Sequence, residues 1–119
     1  TLLHRAAING SLAILKTLVK STSANIRKAD ANSYTALHYA AEFGNLEAVT
    51  ILLAKKASTT AQTRDGLTAL HCATKNGHLN IVKILLAEKV SVIAQGEASQ
   101  TALHYAAKNG HLDIAKALL

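Results

Sequence analysis

The stretch Thr35-Ala36-Leu37-His38-Tyr39-Ala40-Ala41-Glu42-Phe43-Gly44-Asn45-Leu46 decides how this chain folds. Thr35 is suited to cap a helix, its hydroxyl accepting from amides of the first turn that have no other partner. Leu37, Ala40 and Ala41 then fall at i, i+3 and i+4, a single apolar stripe. Gly44 is the residue best able to take the left-handed conformation that ends a helix. Asn45 is placed to cap a second helix, with Glu47 near its positive end and Leu46, Val49, Leu52 and Leu53 on its buried face. From Lys55 to Leu67 helical periodicity stops, and the residues are polar, β-branched or turn-forming. One unit is therefore two short helices and a loop.

The unit recurs. Thr-x-Leu-His stands at Thr1–His4, Thr35–His38, Thr68–His71 and Thr101–His104, at intervals of 34, 33 and 33 residues. Gly10, Gly77 and Gly110 repeat Gly44, and Leu12-Ala13-Ile14-Leu15, Leu79-Asn80-Ile81-Val82 and Leu112-Asp113-Ile114-Ala115 repeat the second helix. A fixed interval of this size marks stacked supersecondary units. Helices this short do not persist alone in water, so each pair must bury its stripe against the next, and the stack is the core. The units run 1–34, 35–67, 68–100 and 101–119, forming one domain over 1–119.

At 119 residues and 50% apolar, the chain can bury a core as one domain. No apolar run reaches the roughly 18 residues that cross a bilayer. The lone cysteine, Cys72, has no internal disulfide partner, which favours a reducing, intracellular and cytoplasmic setting.

The pattern closely resembles the ankyrin repeat over essentially the whole chain. The residues that carry it are Thr35-Ala36-Leu37-His38-Tyr39-Ala40-Ala41, Gly77-His78-Leu79, Gly110-His111-Leu112 and Ile84-Leu85-Leu86. The resemblance implies an all-α repeat solenoid of helix-loop-helix units whose long loops project as β-hairpin-type fingers. It also implies a non-catalytic module that binds another protein through its concave face. Where the family has proline at the first helical position, this chain has Leu2, Ala36, Ala69 and Ala102. Asp65-Gly66 is a good hairpin turn. Its counterparts Asn32-Ser33 and Ala98-Ser99 each cost about 1 kcal/mol where a left-handed angle is needed, and Lys56 and Lys89 stand where the family usually has glycine after the second helix. An extra residue falls within Ser21–Ser23.

The six histidines and the cysteine do not assemble chemistry. His4, His38, His71 and His104 are equivalent residues of units about 8–10 Å apart, whereas zinc ligands each lie about 2 Å from one ion. The expected role of these imidazoles is to hydrogen-bond loop backbone or the threonine hydroxyl, with His78 and His111 doing similar work at the second helix. Cys72 aligns with Arg5, Tyr39 and Tyr105 and has no base beside it, since His71 lies about 100° round a helix. No phosphate loop, paired-carboxylate motif or Cys/His metal spacing occurs. The expectation is no enzyme, no cofactor and no metal.

The net charge is +6. Lys16, Lys83 and Lys116 are equivalent on the outer side of the second helices, with Thr50 interrupting the row, and Lys55, Lys56 and Lys89 gather near helix ends. This reads as a solvated convex face rather than a nucleic-acid stripe. The resemblance places the contact face on the finger tips and the ends of the first helices. Residue by residue, these are Ala31, Asn32 and Tyr34 with Glu42 and Phe43. Arg64, Asp65 and Leu67 follow with Lys75 and Asn76, and then Glu97, Ala98 and Gln100 with Lys108 and Asn109. Ile8 and Asn9 extend the row. Tyr34 and Phe43 are expected side by side as anchors. Both ends read as cut from a longer array, with further repeats or domains of the same protein beyond. A structural spacer in a larger protein and a basic scaffold for an anionic surface are the alternative readings.

Overall fold

The computed structural model describes residues 2–21, 26–59, 61–88 and 101–119. Helices pair as α1 (Leu2–Asn9) with α2 (Leu12–Ser21), α3 (Ala36–Glu42) with α4 (Leu46–Ala54), α5 (Ala69–Lys75) with α6 (Leu79–Ala87), and α7 (Ala102–Lys108) with α8 (Leu112–Leu118). The first helices pack in one row, α1 on α3 on α5 on α7, and the second helices in a parallel row, α2 on α4 on α6 on α8. The result is a two-layer stack measuring 39 × 25 × 22 Å.

Burial follows the stripe. Leu37, Ala40, Ala41, Val49 and Leu52 have no exposed surface, nor do Leu70, Ala73, Val82 and Leu85 one unit on. Leu46 and Leu53, expected on the buried face of α4, are only half-buried, and Ala48 takes the inner place. Alanines at the first-helix positions let neighbouring helices approach closely.

Each described first helix from α3 on begins with a reciprocal cap. Thr35 Oγ1 accepts from the His38 amide at 3.4 Å, and His38 Nδ1 accepts from the Thr35 amide at 3.0 Å. Thr68 with His71 and Thr101 with His104 repeat the arrangement. Histidine thus takes the place that Glu or Gln holds in the ordinary capping box. Thr1, the equivalent residue of the first unit, lies outside the described residues.

The loops after α2 and α4 turn tightly. The Asp30 amide donates to the Tyr34 carbonyl and the Ser33 amide to the Asp30 carbonyl, both at 2.9 Å. The same two bonds join Thr63, Leu67 and Gly66. The Arg64 amide then bridges to the Asn32 carbonyl at 3.1 Å, tying one turn to the next. Among the described residues these turns carry no strand, so the finger loops are hydrogen-bonded turns on an all-helical stack. Ser33 and Lys56 both adopt left-handed backbone, φ 63° and 68°, at the positions where the sequence lacks glycine. Helix α2 runs on to Ser21; Lys89, Ala98 and Ser99 lie outside the described residues.

Candidate functional site

The turn at 30–34 is organised by Asp30. Its Oδ1 accepts from the amides of Asn32 at 2.9 Å and Tyr34 at 3.0 Å, and its Oδ2 accepts from the Tyr39 hydroxyl. Burial pushes the Asp30 carboxyl up, but the hydrogen bonds from Tyr39, Tyr34 and Asn32 outweigh it and hold it below the usual carboxylate range. Burial, and then the Asp30 contact, raises the Tyr39 phenol to about 12. In the next turn Thr63 replaces Asp30, its hydroxyl accepting from the Leu67 amide at 3.2 Å. The sequence reading missed Asp30 as an organiser. The signal was present as an Asx-type residue just before a turn.

Asn32, Arg64 and Asp65 are exposed, and with Tyr34 they line an open cleft of about 530 Å³ between the two turns. Tyr34 is half-buried, stacked on Tyr39 with ring centroids 5.0 Å apart and set edge-on to His38 at 5.6 Å. It fills a gap in a pattern. Tyr39 covers His4 and Tyr105 covers His71, each at 5.6 Å, whereas the equivalent residue over His38 is the small Cys72. Phe43 does not join it, because the two stand at opposite ends of α3, about 10 Å of helix apart. Phe43 is 52% exposed.

Leu67 must be removed from the surface. It is 3% exposed, because the tight turn at 63–66 returns the chain with Leu67 facing the core, and its carbonyl receives His38 Nε2 at 3.0 Å. Lys75, Asn76, Lys108 and Asn109 are exposed at the ends of α5 and α7, Asn9 is exposed at the end of α1, and Ile8 and Glu42 are half-buried. Asn76 and Asn109 turn back on their own helices, each Nδ2 donating at 2.9 Å to the Cys72 and Tyr105 carbonyls. Glu97, Ala98 and Gln100 lie outside the described residues.

The histidines fasten loops. Backbone amides can only donate, so Nδ1 of His38 is the bare nitrogen and Nε2 carries the proton. Nε2 donates to the Ala61 and Leu67 carbonyls, both at 3.0 Å, and His4 Nε2 pairs with the Lys28 carbonyl at 3.0 Å. Burial lowers the His38 pKa despite these carbonyls.

Asn45 has a different partner from the one expected, and His78 and His111, which bond neighbouring backbone as expected, share its arrangement. None caps its own helix through its side chain. Each reaches back one unit instead. Asn45 Nδ2 donates to the Ala7 carbonyl and, at 3.0 Å, to that of Ile8. His78 Nε2 meets the Glu42 carbonyl at 2.9 Å and His111 Nε2 the Lys75 carbonyl at 3.4 Å. Gly44 makes this approach possible, since a Cβ on it would lie 2.7 Å from His78 Cε1.

Among the described residues no three His, Cys, Asp or Glu side chains converge to hold a metal ion. Cys72 is buried, which pushes its thiol up to about 12 and leaves it a poor nucleophile at neutral pH. Among the described residues no helix is long and apolar enough to cross a membrane.

A family profile described as "Ankyrin repeats (3 copies)" matches residues 1–63 and 55–119. The chain belongs to the ankyrin-repeat family. Its reciprocal Thr–His caps and turn-linked fingers are the physical form of the ankyrin unit here. Ankyrin repeats are generally non-catalytic protein–protein interaction modules. The chain is also 32% identical over 66 residues to the transient receptor potential cation channel subfamily A member 1 homolog of Caenorhabditis elegans, a match covering 56% of this chain and 6% of that protein.

Proposed function

We propose that this ankyrin segment holds another protein on its concave face, through the finger turns and the ends of the first helices. The observation that supports this most is the contrast in that row. The packed Leu37, Ala40, Val49 and Leu52 recur as Leu70, Ala73, Val82 and Leu85, while at the ends of the first helices Glu42-Phe43 gives way to Lys75-Asn76 and Lys108-Asn109. Asn32, Arg64 and Asp65 form the finger side of the contact, with Tyr34 offering one face of a ring already braced by Tyr39. Glu42, Asn76 and Asn109 border it, and Glu97 and Gln100 continue it on the next finger. The protein works inside the cell without a catalytic group of its own.

The test is a capture experiment with the chain, a Phe43→Ala/Arg64→Ala variant and a convex-face Lys16→Glu/Lys83→Glu variant. Loss of the bound protein only in the first variant, with unchanged circular dichroism, supports the concave face. Equal capture by all three, or loss only in the convex variant, removes it.

A second reading, a spacer within a larger protein, is favoured by the back-reaching side chains of residues 45, 78 and 111, which direct polar contacts to neighbouring units. Under it, concave substitutions leave every interaction unchanged.

A further inference from the structure

The first helices lie side by side, so the residues at their C-terminal ends form one row across the stack: Glu42 and Phe43, then Lys75 and Asn76, then Lys108 and Asn109. Phe43 is the large apolar side chain of that row and is 52% exposed, whereas Asn76 and Asn109 at the equivalent positions are folded onto their own helices. Lys75 and Lys108 are exposed, and among the described residues neither ammonium has a hydrogen-bond or ion-pair partner. Charge changes sign along the row, from the half-buried Glu42 to two lysines. At the finger above them Arg64 and Asp65 are adjacent and opposite, so they add little net charge.

Spacing selects the shape of the occupant. Packed helices stand about 8–10 Å apart, and an extended chain in the polyproline II form rises about 3.1 Å per residue with three residues per turn, so it advances about one turn per unit and points every third side chain the same way. A helical occupant would need about six residues for the same step and would present its side chains round a cylinder. Lysines 33 residues apart in sequence therefore become neighbours for carboxylates three residues apart on an extended segment.

We infer that the concave face takes an extended acidic segment of a partner protein in the polyproline II form, with one apolar side chain against Phe43 and carboxylates three and six residues beyond it on Lys75 and Lys108. The inference rests on the reading of the concave face as the contact face and adds the partner's chemistry and spacing. The ammonium groups give charge-assisted contacts at the rim, which steer and set register. The apolar contact with Phe43 is the anchor.

The test measures fluorescence anisotropy of labelled peptides of about a dozen residues, long enough to cross three units. One carries Leu-x-x-Asp-x-x-Asp in a Gly/Ser background, one its reverse order, one the same residues with adjacent aspartates, and one lysines in place of the aspartates. One of the two spaced peptides is expected to bind about tenfold more tightly than the adjacent-aspartate peptide. Lys75→Glu/Lys108→Glu should lose that binding and gain the lysine peptide, while Phe43→Ala weakens both and Lys16→Glu/Lys83→Glu changes nothing. Equal binding of spaced and adjacent aspartates overturns the inference, as does displacement of the peptide by single-stranded oligonucleotide at equal concentration. If no peptide binds while Phe43→Ala/Arg64→Ala still abolishes capture of a whole protein, the acidic segment fails and the contact face stands. If only the convex variant loses capture, both fail.

Discussion

Thr74 sits on α5 with no exposed surface, and its hydroxyl has no hydrogen-bond partner. The equivalent residues are Ala7, Ala41 and Ala107. An unpaired buried hydroxyl costs about 1–3 kcal/mol, losing the γ-methyl of threonine costs roughly 1 kcal/mol, and alanine is the better helix former. Thr74→Ala is therefore expected to raise unfolding free energy by about 1 kcal/mol in urea titration. A drop would mean that the hydroxyl bends onto a helix carbonyl after all. Lys56 is a second such residue: Lys56→Gly removes a left-handed side chain and should add about 0.5–1 kcal/mol after the entropy of glycine is counted, read as a higher urea midpoint. The left-handed angle at Ser33 was legible from its counterpart Gly66 in the Asp65-Gly66 turn, and at Lys56 the sequence showed only that a usual glycine is missing. Leu67 was not legible. Its position in the unit holds Tyr34 and Gln100 elsewhere, which reads as variable surface, and only the closed turn at Thr63–Gly66 shows that the side chain returns to the core.

At the level of the helix, the Thr–His cap couples stability to pH. Nδ1 of His38 accepts from the Thr35 amide, so a proton on it would set two donors facing each other. The folded pKa of His38 is lowered, chiefly by burial. The unfolded chain thus binds this proton more readily, near pH 6.5. Stability from this site is complete above that value and falls as pH drops through it toward the folded pKa, by at most about 1.4 kcal/mol per pH unit. Glutamine at the same helical position can accept from the cap amide without titrating. His38→Gln should be less stable at pH 7, having lost the bonds to Ala61 and Leu67, yet show a shallower decline between pH 6.5 and 5 in thermal melts. Parallel curves would remove His38 as the source. The cap itself was legible from Thr35 and His38, because both partners lie within one turn. That Asn45 would leave its own helix uncapped was not, since its acceptors are 37 and 38 residues away.

Across the whole stack, the interval of 33 residues predicts that units repeat but not how one holds the next. The structure answers with a glycine and a back-reaching side chain at successive junctions: Gly10 under Asn45, Gly44 under His78, Gly77 under His111. Gly110 has nothing within 4 Å of a would-be Cβ, so the same substitution meets different surroundings along one chain. Both Gly44 and Gly110 are left-handed, at φ 74° and 72°. Alanine at either carries a backbone penalty of about 1–2 kcal/mol, but only at Gly44 does its Cβ enter His78, 2.7 Å from Cε1. Gly44→Ala must also push the imidazole off the Glu42 carbonyl, losing a bond of about 1 kcal/mol. The prediction is that Gly44→Ala costs about twice Gly110→Ala in urea unfolding, and that His78→Ala removes the excess, leaving a coupling of about 1 kcal/mol in the double-mutant cycle. Equal costs at the two glycines, or a cycle with no coupling, would show that left-handed backbone alone explains these glycines. A coupled result would mean that each unit is held through the backbone of the one before it, so that loosening one junction weakens its neighbours.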